Sequence, residues 1–225
     1  MTLFPAARAV AIKDLTVEIR ARRAVGAAAP FVGTVLVSFG LALGPGRTLL
    51  HQVAPGVLWL SVLFASVLTV RHGWAAEMED DAVEAFVLAG MDDASVFLGK
   101  AAALTIELLA LEIFTVLLTS LLFDRSFLGQ PLLLLAALIL GTIGLSVVGS
   151  LFGLVASSPR AGDGSLPLLL LPLASPVLLA GVQATGYAIA GQPGRAGPWL
   201  GLLSAFDLTF LAVGIVVFEH LLEER

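Results

Sequence analysis

The sequence predicts an all-α membrane protein: six transmembrane helices, an N-terminal interfacial helix, and a cytoplasmic coupling helix between spans two and three. Three observations carry that prediction. Of the 225 residues, 58 % are hydrophobic and 13 % charged, with a mean hydropathy of +1.00, whereas soluble domains carry about 25 % charge. So little polar surface does not cover a water-soluble globule, and so much apolar surface excludes a disordered chain. The charges also gather into short segments that separate long uncharged runs. Those runs are continuous rather than alternating, which suits helices and not the strands of a membrane barrel.

The uncharged runs are 24–46, 48–70, 126–159 and 164–194. Two further runs, 101–123 and 196–218, are interrupted only by Glu107 and Glu112 and by Asp207. About 20 apolar residues cross roughly 30 Å of hydrocarbon, so each run holds one span. The spans are placed near 27–46, 53–70, 101–123, 132–156, 166–190 and 199–218, in a single transmembrane domain covering 1–225. With the N-terminus in the cytoplasm, nine of the twelve Lys and Arg lie inside, leaving Arg47, Arg125 and Arg195 outside. The positive-inside rule favours this orientation, with both termini cytoplasmic. The first run ends Leu43-Gly44-Pro45, without a small-x-small cleavage site, so it is expected to be retained as a span. The outward connections near 44–52, 124–131 and 191–198 are short and rich in Gly and Pro.

Ahead of the first span, Ile12, Leu15 and Ile19 recur at helical spacing while Lys13, Asp14, Arg20 and Arg22 lie elsewhere around the wheel. This predicts a helix on the cytoplasmic leaflet; the alternative is a solvated basic tail. In 71–95, Trp74, Met78, Ala82, Ala85 and Ala89 form one helical stripe. Glu77, Asp80, Asp81 and Glu84 cluster on another side, and Gly90 is a stop signal. An acidic amphipathic helix is expected there. Anionic lipid repels such a face, so a protein partner suits it better; the alternative is a merely solvated loop. Trp74, Glu77, Asp80, Asp81 and Glu84 are the candidate coupling residues.

Within the spans, Glu112 lies roughly 18 Å along the helix from Lys100, near the midplane. Ionisable groups at that depth cost several kcal/mol and mark a pathway or a buried pairing. With every Lys and Arg placed outside the spans, Glu112 and Asp207 are expected to hydrogen-bond a polar neighbour, to be protonated, or to line water. Glu107 and Glu112, about 140° apart on a helix, do not share a face. Span four carries Gly141, Gly144, Gly149 and Gly153, which suits close helix packing. Pro172 and Pro176 are expected to bend or break span five, as a gate or a static kink. The later Gly181, Gly186, Gly191 and Gly194 suggest a broken or re-entrant outer end.

With no Cys there are no disulfides, thiolate metal sites or Cys nucleophile, and a net charge of −5 argues against nucleic acid as a partner. The four acids of 77–84 do not match a calcium loop. His51 and His72, at opposite edges of span two, each stand alone. No Walker-type loop, HExxH or GxSxG occurs, so ATP hydrolysis, if the system uses it, is expected on another chain.

Val53-Ala54-Pro55-Gly56-Val57-Leu58-Trp59 resembles the APG-x-x-W opening of span two in the CcmB family, the haem-exporter permeases of cytochrome c maturation. The acidic stretch through Glu84, then Lys100 opening span three, has the same order. Residues 167–179 (PLLLLPLASPVLL) resemble that family's LPL-x-x-P signature, and Glu112 fits a glutamate found deep in its span three. The chain departs from the pattern at Asp80-Asp81-Ala82-Val83-Glu84, where the family has Asp-Gly before a Leu-Glu pair. The resemblance implies a non-catalytic permease of the bacterial inner membrane. It would pair with a cytoplasmic ABC ATPase and a haem-handling membrane protein, and indirectly with a periplasmic haem chaperone. The resemblance implies no covalently bound cofactor, with haem expected as a transported or handled ligand. The acidic helix is then expected to dock in the ATPase. Two rival readings are an ABC-2 exporter of a lipid or peptide, and an intramembrane enzyme that needs Glu112 and Asp207 to face each other.

Overall fold

The computed structural model describes residues 3–44, 46–79, 92–156 and 165–223. Among these, every regular element is helical: α1 (Leu3–Ala21), α2 (Arg23–Leu43), α3 (Arg47–Glu79), α4 (Asp93–Leu122), α5 (Pro131–Ala156), α6 (Ser165–Ile189) and α7 (Pro193–Glu223). Helices α2 to α7 are each long and apolar enough to cross a membrane, so the chain is a multi-pass membrane protein.

Several helices run past the uncharged windows. The α3 helix starts at Arg47 and continues beyond Arg71 to Glu79; α4 begins at Asp93 and α7 at Pro193. A charge ends a hydrophobic window without ending a helix, because Arg, Glu and Ala are all good helix formers. Residues 71–79 of the acidic connection are therefore helical and collinear with span two, while 80–91 lie outside the described residues.

Helices α3 and α5 form the centre. In α3, 67 % of the spanning window is buried, against 17 % in each of α2 and α7. The first packs on α2, α4, α5 and α6, and the second on α4, α6 and α7. The outward faces of α2, α4 and α7 carry exposed Leu, Ile, Val and Phe, as lipid-facing surfaces do.

Helix α1 packs along α4, burying Ala6 and Val10 and exposing Phe4, Ile12, Val17 and Ile19. An exposed apolar face of this kind suits the surface of a bilayer. Gly99 makes the contact possible: a β-carbon there would stand 2.6 Å from both the Ala7 carbonyl oxygen and Val10 Cβ. The chain turns from α1 into α2 at Arg22, which is left-handed (φ 51°), and the Glu18 carboxylate accepts a hydrogen bond from the Val25 N–H at 3.0 Å. That bond satisfies one of the orphan donors opening α2.

The expectation of a broken or re-entrant outer end in span five is corrected. Pro172, Pro176, Gly181 and Gly186 all lie inside an uninterrupted α6, and the reversal comes at Gly191 (φ 68°). In lipid an unpaired backbone group has no water to turn to, so helical bonding persists through residues that break soluble helices. Pro176 cannot donate to the Pro172 carbonyl; the Ser175 hydroxyl does so instead, at 2.7 Å.

Candidate functional site

The motif resembling the CcmB family opens α3, and its Trp59 is fully buried. The indole lies between two glycines of different helices. A β-carbon on Gly141 of α5 would collide with the ring, and one on Gly181 of α6 would come within 2.5 Å of it. The indole N–H donates to Thr185 Oγ1 at 2.9 Å, so the polar edge is satisfied as well. One aromatic residue thus fixes three spans at a single level.

A second joint forms at the α1 end of the bundle. Trp74 is 6 % exposed, and a β-carbon on Gly153 of α5 would collide with its ring. Its ring centroid stands 6.4 Å from that of Phe218 on α7; Phe218 in turn stacks on Phe97 of α4 at 5.3 Å. Lys100 Nζ sits 4.9 Å from the Trp74 ring centroid and 3.1 Å from Asp14 Oδ2 of α1. Lys100, 7 % exposed, is buried against α1 and the Trp74 ring, and α4 continues past it to Asp93. Nearby, a β-carbon on Gly149 would lie 2.7 Å from Val70. The small residues of span four pack closely, as expected, but against side chains of α3 more than against a bare helix backbone.

Of the candidate coupling residues, then, Trp74 turns into the bundle. Glu77 lies in the last turns of α3, and Asp80, Asp81 and Glu84 lie outside the described residues. Between the two joints are the buried carboxylates. The Thr142 hydroxyl of α5 donates to Glu112 Oε1 at 2.5 Å, while Glu112 Oε2 has no hydrogen-bond partner among the described residues. Asp207 of α7 is 5 % exposed, and among the described residues neither of its oxygens has a hydrogen-bond partner. It lies against Gly144, where a β-carbon would stand 2.8 Å from Asp207 Oδ1. Residues 142 and 144 are about 200° apart around a helix, so α5 stands between the two carboxylates. They do not form the facing pair that proton-transfer chemistry would need. Among the described residues no three His, Asp or Glu side chains converge on a metal-sized site.

Trp59 and Lys100 stood in recognisable motifs, but their contacts were not legible. Neither Thr142 nor Thr185 carried a signal, since hydroxyls within spans are common and partner choice depends on helix rotation.

The sequence profile of the family described as CcmB protein matches residues 5–224. The chain belongs to the CcmB family. Similar proteins include "Heme exporter protein B" of Pseudomonas aeruginosa, 32 % identical over 190 residues, which is 82 % of this chain and 83 % of that protein. The protein of the same description from Paracoccus denitrificans is 30 % identical over 214 residues, 94 % of each chain. That of Rhodobacter capsulatus is 32 % identical over 194 residues, 81 % of this chain and 85 % of its own. The two aromatic joints and the Glu112–Thr142 pair therefore describe how one CcmB-family chain holds its spans together.

Proposed function

We propose that this chain is the non-catalytic permease component of an ABC-type complex of the bacterial inner membrane. The complex exports haem, or releases the haem-loaded periplasmic chaperone, in cytochrome c maturation. Haem is cargo in this reading. A separate cytoplasmic ATPase supplies the energy, and a second membrane protein of the complex handles haem. Family membership and the description shared by the relatives support it.

One observation carries the mechanical part. Helix α3 runs unbroken from Arg47 to Glu79, with Trp59 and Trp74 seated in glycine sockets along it. Force applied just beyond Glu79 reaches the centre of the bundle through a rod, not through a flexible loop. The α1 end is cytoplasmic in this reading, because among the described residues Arg8, Lys13, Arg20, Arg22, Arg23, Arg71 and Lys100 gather there. Closure of the ATPase on the acidic residues Asp80, Asp81 and Glu84 would then rock α3 against α5.

Charge reversal at those three positions tests the proposal. The triple Lys variant is expected to lose co-purification with the ATPase and to abolish holocytochrome c. Wild-type co-purification together with normal cytochrome c would reject it.

A further inference from the structure

The end of the bundle opposite α1 carries a cleft of about 410 Å³. It forms where the first turns of α3, the α4–α5 connection and the end of α6 meet. Arg47, His51, Gln52 and Arg125 supply its polar wall, and Pro55 and Ile189 its apolar one. Arg47, Arg125 and Arg195 are the only basic residues that the positive-inside arrangement leaves on this side, and the fold brings two of them into one cavity.

Of the two, Arg47 has a carboxylate beside it and Arg125, among the described residues, does not. Asp124 lies 3.1 Å from Arg47, and its backbone oxygen is held by His51 Nε2 at 2.8 Å. Among the described residues no carboxylate pairs with Arg125, whose Nε is buried without a hydrogen-bond partner. A buried guanidinium donor without an acceptor is costly. The first amides of α3 have no intrahelical partner and add the positive end of a 33-residue helix to the same place. Leu49, which follows the lining residue Thr48, and Leu128, three residues past Arg125, are exposed, so this end of the bundle also offers apolar surface.

We infer that this cleft binds the anionic group, phosphate or carboxylate, of an amphiphile lying in the adjoining leaflet, with Arg125 as the principal charge partner. Guanidinium suits both anions because its donors form a planar fork. The inference does not rest on the transport reading and survives its failure.

The test uses the full-length chain in phosphatidylcholine nanodiscs. It is titrated in one arm with phosphatidylglycerol, with retained lipid counted by native mass spectrometry. The other arm uses mesoporphyrin, a dicarboxylate, with its dimethyl ester as control. Arg125→Gln and Gln52→Glu are each expected to weaken binding of an anionic probe by about tenfold, and Arg125→Lys to fall between wild type and Arg125→Gln, since the charge stays and the fork is lost. The neutral control binds all variants alike. Loss in the first arm names a bilayer lipid, loss in the second a carboxylate amphiphile, and loss in both a site open to either. Gln52 is exposed at the lip, so its variant decides the matter even if Arg125→Gln does not fold. Equal binding of both anionic probes by the wild type and Gln52→Glu overturns the inference.

Discussion

Lys100 lies over the Trp74 ring while the same ammonium holds Asp14, so one buried cation joins α1, α3 and α4. The N-terminal helix is thereby fixed to the last described turns of the long central helix, next to the segment proposed to meet the ATPase.

Breaking this pair from either side should be worse than removing it. Asp14→Asn removes the carboxylate that stands 3.1 Å from the buried Lys100 ammonium and should cost up to about 3–5 kcal/mol. Lys100→Met combined with Asp14→Asn should recover much of that loss. Thermal unfolding of the four proteins in detergent gives the cycle; additive losses would show the contact to be energetically idle.

Trp74→Ala removes the ring that α5 and α7 pack against and should cost about 3–5 kcal/mol, as large core truncations do. Gly153→Ala forces the ring out of its socket and should lower the melting temperature by a smaller amount. Trp74→Ala should partly relieve the Gly153→Ala defect, because the added methyl then meets Val70, at 2.8 Å, and no longer the ring.

Trp59 allows a finer measurement. Thr185→Val leaves the buried indole N–H without an acceptor, worth about 1–3 kcal/mol. Gly141→Ala should cost a comparable amount through overpacking. Melting temperatures of both variants, set against wild type, check this.

Glu112→Gln and Asp207→Asn should act independently, because α5 separates the two carboxyl groups. Their effects on stability and on cytochrome c yield are expected to add within about 0.5 kcal/mol. A strongly non-additive pair would bring back the facing-dyad reading. Thr142→Val should mimic part of the Glu112 defect and leave the Asp207 variant's effect unchanged.

Ser175→Ala should destabilise the wild type, since the Pro172 carbonyl loses its donor on an exposed face of α6. In a Pro176→Ala background the backbone N–H takes over and the same substitution should be silent. A double-mutant cycle in melting temperature reads the difference.

The six spans were legible because hydropathy over twenty residues is a sum, and sums survive local exceptions such as Pro172 or Gly181. Contacts were not legible, since each depends on helix rotation. Glu112 could be placed at depth from its distance to Lys100, yet nothing in the chain pointed to Thr142 as its neighbour. Trp74 fell on an apolar stripe with Met78, and the stripe could not say which of its members the bundle would claim. Lys100 was read as the boundary of span three because charge usually marks an edge. Its burial against Asp14 and the Trp74 ring depends on helix rotation and left no trace in the charge pattern.

The length of α3 carries a further consequence. Thirty-three residues make a rod of about 50 Å, well beyond the roughly 30 Å of hydrocarbon. Because both tryptophans are keyed into sockets, the azimuth of whatever follows Glu79 is set by counting residues. One alanine inserted between Trp74 and Glu79 would swing the downstream chain by about 100° and advance it about 1.5 Å. Substituting residues in the same stretch would leave that angular phase untouched.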